Sequence, residues 1–193
     1  MSDYTKSLLY HKITELAEFI PASSLERLFQ TITKRTIEKG ETLLKQGQIC
    51  HTIFFVESGY LRVFIEKDAT EINTDFIFEN NFVTNLKSLR QSIPSETTIQ
   101  AGESALVYEF NKDKLMILYK DSPEIESFGR KLLEQLLIAS EEHSNLFKIF
   151  SPTERYKYLQ ANKPQLLQRI SLSHIASYLG IARETLSRIR KSK

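Results

Sequence analysis

Cysteine is almost absent from this chain, Cys50 being the only one in 193 residues. A single thiol cannot close an internal disulfide or supply the four thiolates an iron–sulfur cluster usually takes, so neither holds the fold together. Long apolar runs are missing as well. Nothing approaches the roughly 18 consecutive apolar residues of a membrane span, and the polar opening MSDYTKSLLYHK lacks the apolar centre of a secretory signal. No membrane partner is expected, and the expected location is cytoplasmic. Histidine is sparse: His11, His51, His143 and His174 are scattered without metal-ligand spacing, so no metal site and no cofactor are expected. There is no internal repeat and no low-complexity stretch. What remains is a chain with 41% apolar and 26% charged residues, which excludes disorder and leaves one ordinary globular unit or two small ones.

The net charge of +2 conceals a division at Ser151. Residues 1–150 carry 17 Lys and Arg against 22 Asp and Glu, whereas residues 151–193 carry 9 against 2. A compact basic module after an acidic body points to a phosphate-rich partner, because neutralising phosphates releases condensed counterions. A solvated charged end is the plain alternative, and local architecture decides between the two.

Changes of period divide the chain. Residues 4–32 read as two short helices, the second opened by Ser23 and Glu26 as a capping box. From Thr36 to Phe110 the pattern is short β-type runs, TIFFVE, YLRVFIE, INTDFIF, TTIQA and ALVYEF, which predict a sandwich or barrel with glycines at its turns. Tyr60, Phe64, Phe76, Phe78 and Phe82 read as barrel core, and Cys50 as a buried, unreactive thiol.

After Pro123 the period is helical for nearly thirty residues. Ile125, Gly129, Leu132, Leu136, Ala139, His143, Leu146 and Phe150 recur at intervals of four and three, the spacing of a coiled-coil seam. A second row, Leu133, Leu137 and Phe147, is expected to face the strands. A helix with two apolar faces packs on its own domain with one and on a symmetry mate with the other, which predicts a homodimer; a single buried helix covering the barrel is the plain alternative.

The next boundary is written FSPTERYKYL: Ser151 caps, Pro152 fits the first helical position and Glu154 completes a capping box. In SLSHIASYLGIARETLSRIRKSK, Ser171 caps a short helix with Ile175, Ala176 and Leu179 inward, Gly180 turns the chain, and a second helix follows with Leu186 and Ile189 inward. This is helix-turn-helix spacing. The outward face of the second helix carries Arg183, Glu184, Ser187, Arg188 and Lys191. Arginine donates bidentately to guanine, glutamate accepts from cytosine N4, and serine serves a base or a phosphate. Arg190, Lys191 and Lys193 suit backbone phosphates, as do Ser171 and Thr185.

At these residues the chain resembles the cyclic-AMP receptor / fumarate-nitrate regulator (Crp/Fnr) family of bacterial transcription factors. IAxYLGIxRETLSRIRK is similar to the family's DNA-binding signature, and glycine-punctuated strands followed by a long helix match its barrel and dimerisation helix in the same order. The resemblance implies an α+β chain. Its parts would be a cyclic-nucleotide-binding-type β jelly-roll barrel with N-terminal helices over 1–121, a long dimerisation helix over 122–150 and a helix-turn-helix over 151–193. It also implies double-stranded DNA and RNA polymerase as partners, a palindromic operator with TGA-type half-sites, and no enzymatic activity. By resemblance Glu184, Ser187 and Arg188 fall on base-reading positions, with Arg183 as an additional base or phosphate contact.

Three departures stand out. Ala182 occupies the position where relatives commonly place a Ser or Thr cap, a loss of about 1 kcal/mol in helix stability. The sequence ends at Lys193, so a winged-helix-like unit with its wing absent or truncated is expected. In nucleotide-binding relatives a Gly-Glu pair holds the ribose and an Arg-Ser pair the cyclic phosphate; here Thr84 and Asn85 align with the first pair, Ser95 and Glu96 with the second. A carboxylate replaces the phosphate-binding cation, so the pocket reads as degenerate and the chain as unresponsive to cyclic AMP, its effector being an unidentified small molecule or none. Arg90 is the nearby cation that a different alignment would bring into that role.

Two further readings compete. A cupin-like binding protein or enzyme needs clustered His and carboxylate ligands, but the strands between Thr36 and Phe110 supply only His51. A protein-interaction module with non-specific DNA affinity would bind every duplex alike with a steep salt dependence.

Overall fold

The structure, a computed structural model, describes residues 3–17 and 19–191. A 3-10 turn (Asp3–Lys6), α1 (Leu8–Leu16) and α2 (Ala22–Thr31) lead into the strands β1 (Ile32–Ile37), β2 (Thr42–Leu44), β3 (Thr52–Ser58), β4 (Leu61–Lys67), β5 (Thr70–Ile77) and β6 (Phe82–Val83). A short helix α3 (Leu86–Gln91) precedes β7 (Thr98–Ala101) and β8 (Ala105–Asn111). The strands form two antiparallel sheets, β1-β8-β3-β6 and β2-β7-β4-β5. Leu44, Leu61 and Ile99 of one sheet and Ile37, Phe55 and Val107 of the other share one buried core, which makes the expected jelly roll. Gly59 joins β3 to β4 at φ +83°, and a Cβ there would stand 2.6 Å from that of Ala105, so the turn requires glycine twice over.

α1 and α2 close one end of the barrel with Leu9, Ile13 and Leu28, all fully buried. The second helix starts at Ala22 behind Pro21, with no side-chain cap hydrogen bond there. The Ser23 and Glu26 capping box is therefore not formed: proline pre-sets the entry, and Ser23 lies inside the first turn. Beyond the barrel stand α4 (Lys112–Asp121), α5 (Pro123–Ile149), α6 (Pro152–Asn162), α7 (Pro164–Arg169), α8 (Leu172–Leu179) and α9 (Arg183–Lys191). Among the described residues no helix is long and apolar enough to cross a membrane.

On α5 the two apolar rows exchange places relative to expectation. Ile125 and Leu132 are buried in the barrel core together with Phe128, and Leu136 packs against the same cluster. Leu146 is buried as well, Ala139 is exposed, His143 is half-buried, and Phe150 is exposed. The row expected to face the strands is the one in solvent: Leu133 is 39% exposed and Leu137 69%. Phe147 lies against Tyr178 of α8 rather than against the strands. The reason is local. The row through Ile125, Phe128 and Leu132 is bulkier than its neighbour, and the barrel and α1, α2 and α4 cover it first. As a seam for a partner, Ile125, Leu132 and Leu146 are therefore unavailable, while Leu133 and Leu137 remain uncovered.

Candidate nucleic-acid interface and sensor pocket

The basic C-terminal module is built on local signals. Ser151 accepts from the Glu154 N–H while Glu154 accepts from the Ser151 N–H at 2.8 Å, the reciprocal box that starts α6 behind Pro152. Ser171 Oγ accepts from the His174 N–H at 3.3 Å and starts α8. Gly180, at φ +70°, ends it: its N–H and that of Ile181 return to the carbonyls of Ser177 and Ala176 at 3.1 and 3.0 Å. Leu159, Leu166, Leu179 and Leu186 close the small core beneath the turn.

α9 is held by one side. Leu186 is fully buried and Ile189 half-buried, whereas Arg183, Glu184 and Arg188 are exposed and Ser187 half-exposed. At 100° per residue Glu184, Arg188 and Lys191 lie opposite Leu186, while Ser187 and Arg183 stand at about 100° and 60° from it, so the expected base-reading residues share one accessible side with Arg183 at its border. Thr185 and Arg190, both exposed, flank that face, and exposed Ser171 stands at the start of α8. Lys193 lies outside the described residues. The Ala182 carbonyl accepts from the Leu186 N–H at 3.1 Å, so α9 begins where expected, on a residue whose methyl offers no capping acceptor.

The module is also docked on the barrel, a contact the sequence did not signal. Tyr60, Phe76 and Phe78 do not enter the barrel core; they cluster with Leu166, Ile175 and Tyr178. Phe64 is buried beneath the Arg62 guanidinium, 4.1 Å from the ring centre, and Phe82 alone of the five aromatics joins the barrel core. At the edge strand β5, Ser177 Oγ accepts from the Asn73 N–H at 3.0 Å and donates to the Glu71 carbonyl at 3.3 Å. Arg169 forks onto both oxygens of Glu79 at 2.8 and 2.9 Å, also pairs with Glu103, and lies 5.0 Å over Phe78. The two carboxylates raise the Arg169 pKa. His174 stacks on Phe76, and burial lowers its pKa. His143 meets the Tyr178 hydroxyl through Nδ1 at 3.3 Å.

Each of the four expected pocket positions is taken up by a neighbour of its own. Thr84 Oγ1 donates to the Thr52 carbonyl at 2.9 Å and lies 3.3 Å from Cys50 Sγ, which is buried as expected while His51 is exposed. Asn85 caps α3 by accepting from the Ser88 N–H at 3.0 Å and donates to Thr97 Oγ1 at 3.1 Å. Ser95 is buried and bonds the Thr97 backbone in both directions, at 2.7 and 3.1 Å. Glu96 is paired with Lys87 at 2.6 Å. Arg90 sits in the last turn of α3, facing a cavity that none of these four lines. Among the described residues no cluster of His, Cys, Asp or Glu could hold a metal ion.

A jelly-roll barrel joined by a long helix to a helix-turn-helix is the architecture these elements define, and residues 34–122, just under half of the chain, match the cyclic nucleotide-binding domain family. The proteins it is similar to in sequence are transcription regulators. The chain is 29% identical over 168 residues to the transcriptional activator protein FnrA of Stutzerimonas stutzeri, covering 80% of this chain and 68% of that protein. To the transcriptional activator protein anr of Pseudomonas aeruginosa it is 26% identical over 167 residues, with the same coverage. Among solved structures it is similar to CLP, described as a c-di-GMP responsive global regulator of Xanthomonas campestris, with a TM-score of 0.65, 21% identity and coverage of 89% and 90%. FixK2 of Bradyrhizobium japonicum gives a TM-score of 0.69 at 17% identity, covering 83% of each chain. At such identities the likeness to the solved structures speaks for the fold.

Proposed function

We propose that this chain is a homodimeric transcription regulator that reads a palindromic DNA site through α9 and does not respond to cyclic AMP. The observation that carries the reading is the α9 surface: Arg183, Glu184, Ser187 and Arg188 stand on one accessible face of a basic helix held from behind by Leu186. Two such helices, presented by paired α5 helices, would enter successive major grooves about 34 Å apart. Leu133 and Leu137 support a partner on that side of α5, in place of the seam through Ile125 and Leu132. An effector would act by biasing the orientation of the two reading heads, a shift of population. RNA polymerase is the further partner this reading assigns.

Unresponsiveness to cyclic AMP is supported by Glu96, which sets a paired carboxylate where a phosphate would need a cation, and by the closed hydrogen bonding of Thr84, Asn85 and Ser95. The test is sedimentation of the purified chain with a palindromic duplex, with and without cyclic AMP. Two chains per duplex, unchanged by the nucleotide, is the expected result. One chain per duplex overturns the dimer, and a nucleotide-dependent affinity overturns the pocket reading.

A further inference from the structure

We propose that the cavity enclosed by α3, α4 and α5 is a binding site for a short-chain monocarboxylate. Ile53, Leu89, Leu115, Met116 and Leu132 form an apolar wall around a volume of about 60 Å³, and Arg90 and Lys112 complete the lining. That is less than half of the roughly 150 Å³ that holds one benzene, so the enclosed part takes about two or three carbons and a longer tail would lie out over the rim. Leu86 and Leu133, 40% and 39% exposed, extend the apolar surface to the solvent.

The charge on this site selects the occupant. Among the described residues no carboxylate lies within ion-pair distance of Arg90 or Lys112, although Arg27, Arg35, Arg62, Lys87 and Arg169 all have one. Among the described residues the Lys112 ammonium meets the Ser92 hydroxyl, at 3.5 Å. Two cations beside an apolar wall suit a ligand with one anionic head and a hydrocarbon tail, since a fork of guanidinium donors matches a carboxylate. Sugars or phosphate esters would leave most of their polar groups unpaired against this wall. Tyr119 places a third polar group beside the cavity. It leans onto α5 because Gly129 has no side chain; a Cβ there would sit 2.1 Å from the phenol oxygen. Burial raises the pKa of that phenol, Glu126 adds to the rise and Arg90 opposes it.

Thr84, Asn85, Ser95 and Glu96 do not line this cavity, so the site is separate from the degenerate nucleotide positions. Its occupant would touch Leu132 and Leu133 on α5. Any influence on the reading heads rests on the regulatory reading above, whereas binding itself does not.

Met116 allows a direct test, being the only methionine besides Met1. A chain carrying carbon-13 in its methionine methyls is titrated with hexanoate, and with hexylamine and hexanol as matched controls. A saturable shift of the Met116 methyl by hexanoate is expected, with hexylamine and hexanol at least about tenfold weaker and Arg90→Glu lowering the hexanoate affinity about tenfold. Arg90 is exposed, so this variant is expected to keep the fold, which its far-ultraviolet circular dichroism checks. No saturable shift, equal binding of hexanol and hexanoate, or an unchanged affinity in Arg90→Glu overturns the assignment. Failure of DNA recognition would leave the titration untouched, so the two proposals fail separately.

Discussion

Arg169 grips Glu79 with two parallel N–H···O bonds, tying the helix that precedes the helix-turn-helix to the loop after β5. The pair is partly screened, and the same guanidinium lies over Phe78 and reaches Glu103. The contact holds the basic C-terminal module on the barrel beside the aromatic cluster of Tyr60, Phe76 and Phe78.

Arg169→Ala is expected to cost about 1 kcal/mol in urea unfolding, the order for a partly exposed ion pair with good geometry. Arg169→Lys should recover less than half of it, since an ammonium cannot span both Glu79 oxygens. Full recovery by lysine would mean that charge alone, without the fork, holds the joint.

Leu132→Ala and Leu137→Glu separate the two faces of α5. Leu132 is 3% exposed, so its truncation should lower stability by about 2–5 kcal/mol. Leu137→Glu should leave folding intact and convert dimer to monomer in sedimentation. A monomerising Leu132 variant that stays fully stable, beside a dimeric Leu137→Glu, would restore the seam first read from the sequence.

His174 gives stability a pH dependence of known sign. Burial holds its folded pKa below 6.5, so above that value both folded and unfolded chains carry it neutral. As pH falls through 6.5 the unfolded chain takes up a proton that the folded chain resists, and folding free energy declines. Unfolding measured from pH 7.5 to 5.5 should show this decline, and His174→Gln should make it shallower, the remainder coming from His143, whose pKa burial also lowers. An identical slope in the variant would assign the effect to other groups.

Arg188→Ala should weaken binding by about 1–3 kcal/mol, concentrated at one base pair of the site. Arg190→Ala should weaken all duplexes alike and lower the salt slope by about one. Competition assays over single-base variants at two salt concentrations tell them apart; equal losses on every duplex from both would remove Arg188 from base reading.

The parts legible from the sequence are those with local punctuation. The Ser151–Glu154 box, the Ser171 cap and Gly180 each fix a boundary within a few residues, so the helix-turn-helix and its outward residues follow directly. The strand alternation likewise points to a sandwich or barrel, which the resemblance narrows to a jelly roll. The choice of face on α5 depends instead on what covers it, and rows at intervals of three and four are equally compatible with a barrel or a partner. Tyr60, Phe76 and Phe78 alternate like core residues and are indeed buried, but under another module. α4 went unread because KDKLMILYKD sets a short apolar centre between charges, a pattern with no period of its own.

Sequence-specific reading by paired α9 helices is tested most directly by selecting bound duplexes from a random pool, with the purified chain at near-physiological salt and no added ligand. Enrichment of a palindrome whose half-sites, carrying a TGA-type core, lie one helical turn apart is the expected outcome. Binding that is salt-sensitive and enriches no sequence would contradict it, leaving a basic module that holds DNA without reading it.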